Sequence, residues 1–154
     1  MPVTVRLDDI VDALDTLVDE SPSYLDLATG QVVSVSEELL SEAEEPDNED
    51  PELLDWQKDE WEIAKRIAST DRFLELPTQF DVNEWEIMQD FSRSAEPDPV
   101  REDLLRAIHG TGAFRNFKDA IRLHGIESSW YAFRTQALRQ IAIEWCEENQ
   151  VAWK

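Results

Sequence analysis

The apolar positions of this chain fall into several helical runs and a few short extended ones. Leu7, Ile10, Val11, Leu14, Leu17 and Val18 recur at three- and four-residue spacing, with Asp8, Asp9, Asp12 and Asp15 between them. That spacing predicts an amphipathic helix of about three turns, ended by Pro22. Residues 24–27 and 31–35 are β-favouring runs on either side of Ala28-Thr29-Gly30. They predict a hairpin with a bulge at the glycine. Residues 73–76, closed by Pro77, read as a third short strand. Three antiparallel strands are about the minimum for a self-supporting sheet.

The remaining periodicity is helical. Residues 53–69 carry two apolar stripes, one through Leu54, Trp61, Ala64 and Ala68, the other through Trp56, Ile63 and Ile67. Such a helix is expected to be covered on more than one side. Asp81-Val-Asn-Glu84 has the spacing of a capping box, with Asp in place of Ser or Thr, ahead of a helix through Trp85, Met88 and Phe91. Asp98 then reads as an N-cap with Pro99 in the first turn, opening a helix that uses Leu104, Leu105 and Ile108 until Gly110 and Gly112 interrupt it. Residues 113–124 form the next helix, closed by Gly125 in the left-handed conformation. A last helix, capped by Ser128 or Ser129, runs to about Glu148. No internal repeat is present. The expected fold is a single α+β domain over residues 1–154, mainly helical, with a small three-stranded antiparallel sheet.

Charge adds a second layer. The 154 residues carry a net charge of -21, which repels nucleic acid and anionic membranes at long range. Hydrophobic residues make up 42% of the chain, enough for a packed core. Residues 37–52 hold nine acidic side chains, no basic one, and both Pro46 and Pro51. The stretch 36–52 therefore reads as an acidic loop or partly disordered insertion, a solvated connector. Cys146 is the single cysteine, so neither an intrachain disulfide nor a thiolate zinc cluster is expected. The first residues lack the basic and apolar regions of a secretory signal, and no apolar run approaches a membrane span. The expected compartment is the cytoplasm, without membrane association.

One region reverses the charge. Residues 101–139 hold seven basic and four acidic side chains. Within them lie Gly110-Thr-Gly-Ala-Phe-Arg-Asn-Phe-Lys-Asp119 and Trp130-Tyr-Ala-Phe-Arg134. Phe114, Phe117 and Ile121 fall at i, i+3, i+7 and predict a buried stripe. Arg115, Lys118 and Arg122 repeat that spacing one residue on, which places a basic stripe about 100° round the helix. The free N–H groups after Gly112 favour an anion at the helix start. Arg115, Lys118, Arg122, Trp130 and Arg134 are the candidate binding residues. Two readings compete. The cations pair with carboxylates of the same chain and lay their stems on apolar surface, or they face an external anion. Trp130 and Phe133 read as core residues before they read as stacking platforms.

Catalytic signatures are missing. The Gly-x-Gly lacks the third glycine of a dinucleotide fingerprint and the Lys-Ser/Thr of a phosphate loop, and no strand precedes it. His109 and His124 each end a helix, where the dipole favours them. Cys146 stands before Glu147 and Glu148, whose carboxylates would raise its pKa rather than activate it. No catalytic residue, metal ligand set or cofactor is expected. The reading is a non-enzymatic binding or regulatory protein that works through contacts with a protein partner. A nucleic-acid or phosphate-ligand binder using the basic stripe of the 113–124 helix is the alternative. A small enzyme whose site the sequence does not reveal is a third.

Several segments resemble the bacterial Uncharacterised Protein Family 0158. They are Tyr24-Leu-Asp-Leu-Ala-Thr-Gly-Gln-Val-Val33, Arg72-Phe-Leu-Glu-Leu-Pro77, Gly112-Ala-Phe-Arg-Asn-Phe-Lys-Asp119 and Trp130-Tyr-Ala-Phe-Arg134, with Trp145 and Asn149 near the end. Asn116 stands where that family often carries another basic residue. The resemblance implies an α+β fold in a cytoplasmic bacterial protein of unassigned function, and it implies no catalytic residues.

Overall fold

The computed structural model describes residues 3–16, 21–44, 54–78 and 81–154. Their contacts gather into two compact units. One comprises residues 1–81 with 141–154, the other residues 82–140. The architecture is mainly helical α+β, and the expected three-stranded antiparallel sheet lies wholly in the first unit.

Unit 1 begins with strand β1 (Thr4–Val5) and helix α1 (Leu7–Asp15). Leu7, Ile10, Val11 and Leu14 are buried, while Asp8 and Asp12 face out, as the heptad-like spacing requires. Leu17 and Val18, expected on this helix, lie outside the described residues. The hairpin follows as β2 (Ser23–Asp26) and β3 (Val32–Ser34), and β4 (Phe73–Glu75) pairs with the other edge of β2. The register sets Tyr24 opposite both Val33 and Glu75.

Asp26 organises the turn. Its carboxylate accepts the Ala28 N–H at 2.9 Å, and its carbonyl accepts the Gly30 N–H at 2.8 Å. Gly30 sits at φ 80°, and a Cβ there would stand 2.8 Å from the Thr4 carbonyl oxygen. Any other residue would meet both left-handed strain and a backbone clash.

Residues 37–44 correct the sequence reading. They form helix α2 (Glu37–Glu44) rather than an acidic loop. Ser36 Oγ accepts the Leu39 N–H at 3.3 Å, which caps the helix. Glu37 and Glu38 then sit in the first turn, where the dipole favours negative charge. Leu39 packs with Trp61 and Ala64 of α3 (Asp55–Ser69), and Ala43 adds to that cluster. Residues 45–52, the rest of the expected insertion, lie outside the described residues. On α3, Leu54, Trp56 and Ala68 are exposed, so only part of the expected double stripe is covered.

Unit 2 holds α4 (Glu84–Ser94), α5 (Asp98–Ala107), α6 (Ala113–Leu123) and the first part of α7 (Glu127–Glu148). Asn83 caps α4, its Oδ1 accepting the Glu86 N–H at 3.0 Å. The expected cap, Asp81, instead accepts the Thr78 N–H at 2.9 Å. Helix α7 starts at Glu127, ahead of the expected serine caps, because Ile126 C=O already accepts the Trp130 N–H at 3.0 Å. Its later turns belong to unit 1. Beyond them β5 (Ala152–Trp153) pairs in parallel with β1, Thr4 opposite Ala152.

An aromatic cluster forms the unit 2 core. The Phe117 and Trp130 rings meet edge to face at 4.8 Å, and Phe91 stands 5.4 Å from both Trp130 and Phe133. Edge-to-face pairs of this kind add to the gain from burial.

Candidate functional site

The five candidate residues divide into three groups. Trp130 is a core residue, 1% exposed, which corrects its assignment to a binding surface. On a helix with neighbours on both sides, an indole this large is better buried against Phe91 and Phe117 than left in water. Arg134 is spent internally. Its Nη2 stands 2.5 Å from Glu84 Oε1, and its Nε reaches both carboxylate oxygens at 3.1 and 3.2 Å. Arg115, Lys118 and Arg122 are exposed and make no ion pair among the described residues.

The expected buried stripe of α6 is also modified. Phe117 and Ile121 are buried, but Phe114 is 57% exposed. At about 100° per residue, Phe114, Lys118, Arg122 and Arg115 occupy one continuous arc of roughly 100° beside the buried face. Arg115 to Arg122 spans about 10 Å along the axis. From α7, Tyr131 joins this arc. It is 52% exposed, and Lys118 Nζ lies 5.0 Å from its ring centre and 5.9 Å from that of Trp130. The result is a strip of two exposed aromatic rings and three cations.

Sequence reasoning missed Phe114 and Tyr131 as surface groups. The signal for Tyr131 was its position next to Trp130, since one helical step turns a side chain by about 100°.

The histidines are placed structurally. His124 Nε2 lies 2.9 Å from Asp103 Oδ2, tying the end of α6 to α5, and Arg106 shares that carboxylate at 3.5 Å. His109 sets its ring edge-on to Trp85, whose Nε1–H donates to the Ile108 carbonyl at 2.9 Å. Cys146 is buried, and burial, followed by the neighbouring Glu147 charge, raises its pKa to about 11. In unit 1 a cleft of about 420 Å³ is lined by Glu75, Asp81, Glu144, Glu148 and Trp145, and among the described residues no histidine, lysine or cysteine stands on its walls. Among the described residues, no group of three or more His, Cys, Asp or Glu is arranged to hold a metal ion. No described helix is long and apolar enough to cross a membrane.

The family model of the uncharacterised protein family UPF0158 matches residues 1–154. The chain belongs to that family. A curated relative, the UPF0158 protein PA5073 of Pseudomonas aeruginosa, is 28% identical over 152 residues, covering 97% of this chain and 86% of the relative. No solved structure matches. UPF0158 membership thus extends over both units, and it brings no assigned activity to either.

Proposed function

We propose that the chain is a non-enzymatic binding protein that acts through protein contacts, with the α6–α7 strip as its contact surface. One observation carries this reading. Phe114 and Tyr131 are exposed beside Arg115, Lys118 and Arg122, three cations without an ion pair among the described residues. In a chain of net charge -21, cations left without carboxylate partners run against the general balance. Aromatic rings and arginines are also the side chains that anchor protein interfaces. The relative from Pseudomonas aeruginosa supports a bacterial origin, and we read the setting as cytoplasmic.

A second reading is favoured by the same residues. Exposed rings flanked by cations form a stacking platform for a single-stranded nucleic acid or a phosphate ligand. The net charge opposes it at long range.

Capture from the native cell separates the two. The wild-type chain and a Phe114→Ala/Lys118→Glu variant are used as bait. A protein retained by the wild type and lost with the variant is the expected result. A nucleic acid that is retained instead, and that is released steeply by salt, would replace the protein-contact reading with the second.

A further inference from the structure

The strip has a chemistry that narrows what it can hold. We infer that its partner is a short acidic segment of another protein, with an aromatic or aliphatic residue set between its carboxylates. This rests on the protein-contact reading above.

Sign and scale both favour a short ligand. Arg115, Lys118 and Arg122 offer three positive charges over about 10 Å of α6. At physiological salt the Debye length is about 8 Å. A ligand confined to the strip therefore feels these three cations directly, while any charge farther off than that length acts on it only weakly. A long polyanion extends past the strip and meets the field of a chain with net charge -21. Two or three carboxylates on a short segment match the cations without that penalty.

The rings supply the second requirement. Phe114 lies one helical turn before Lys118, and Lys118 holds its ammonium over the Tyr131 ring. Apolar surface and positive charge are thus interleaved within one patch. A purely acidic segment would leave Phe114 and Tyr131 wet, and a purely apolar one would bury the cations unpaired. Asp119 is the one acidic residue in α6 and is exposed next to this arc. Its charge opposes the ligand proposed.

A random dodecapeptide display library panned on the full-length chain tests the inference. The expected result is enrichment of Asp and Glu around Phe, Tyr, Trp or Leu. Synthetic versions of the selected peptides should lose about ten-fold or more in affinity with Lys118→Glu and with Phe114→Ala. They should bind more tightly to Asp119→Asn. Far-ultraviolet circular dichroism of each variant checks that the fold is kept. Peptides that are neutral or basic yet still lost with Phe114→Ala overturn the acidic partner and leave the protein-contact reading standing. Oligouridine bound at the strip with a steep salt dependence, in place of any selected peptide, overturns both. Failure to select any peptide, or selected peptides indifferent to Lys118→Glu and Phe114→Ala, overturns the inference.

Discussion

Arg134 and Glu84 meet across fifty residues of sequence, with the guanidinium Nη2 2.5 Å from a carboxylate oxygen. The pair joins the first turn of α4 to α7 inside unit 2. Arg134 is 18% exposed and Glu84 33%, so neither charge is fully hydrated. Removing one partner leaves the other in a half-dry setting. Arg134→Ala is expected to cost about 1–3 kcal/mol of stability. Glu84→Gln keeps an acceptor and should cost less. A double-mutant cycle by urea unfolding should give a favourable coupling between the two positions. Zero coupling would mean that the pair contributes nothing beyond its separate side chains.

Two phenylalanines three residues apart on α6 should behave oppositely. Phe117 is 0% exposed and packs on Trp130, whereas Phe114 is 57% exposed. Phe117→Ala is expected to destabilise by about 3–5 kcal/mol. Phe114→Ala should stay within about 0.5 kcal/mol of the wild type. Equal losses in urea unfolding would place Phe114 in the core and remove the aromatic part of the strip.

These side chains also mark where the sequence was legible. The hairpin, the third strand and the helices of unit 2 follow from local pattern, because period and turn chemistry are written in adjacent residues. Helix α2 was hidden by its charge. Its stability depends on Leu39 meeting Trp61 and Ala64, a tertiary contact that composition does not display. Phe114 misled for a geometric reason, since it lies at the rim of the apolar arc and in the first turn of α6. Strands β1 and β5 are two residues each, too short to alternate visibly. Of the candidate residues, Arg115, Lys118 and Arg122 are exposed, a position that their spacing on α6 already displays. The fate of Arg134 depended on Glu84, distant in sequence and silent in any local pattern.

Asp26 gives unit 1 a defined acid limit. The Arg72 guanidinium bonds both its oxygens, Nε to Oδ1 at 2.6 Å and Nη2 to Oδ2 at 2.5 Å, and this lowers its pKa to about 2. A carboxylate whose pKa is depressed by folding contributes stability that is fully present above its unfolded value of about 3.8 and is lost as pH falls towards 2. Protonation of the other carboxylates relieves repulsion over the same range, so the difference from Asp26→Asn isolates this group. Wild type should lose more urea resistance than Asp26→Asn between about pH 4 and pH 2. Parallel curves would show that the Arg72 contact does not hold the proton off.

The Cys146 thiol is expected to be inert in the native state. Burial and the adjacent Glu147 raise its pKa to about 11, so little thiolate exists at neutral pH. Ellman's reagent at pH 8 should react slowly with the folded chain and rapidly in urea. Fast native labelling would indicate that the last turns of α7 open readily.

The pairing of β1 with β5 has a consequence for synthesis. Leu7 N–H donates to the Lys154 carbonyl at 3.0 Å, and Lys154 N–H donates to the Val5 carbonyl at 3.1 Å. Unit 1 is therefore assembled from two pieces of chain, with all of unit 2 encoded between them. On a ribosome, which extends the chain from its N-terminal end, the four helical segments of unit 2 emerge as an uninterrupted stretch. β1 meets its partner only once residues 152–153 have left the exit tunnel. Among the described strands β1 is thus made before β2 to β4 yet paired after them, and until then its edge is open to any other strand nearby.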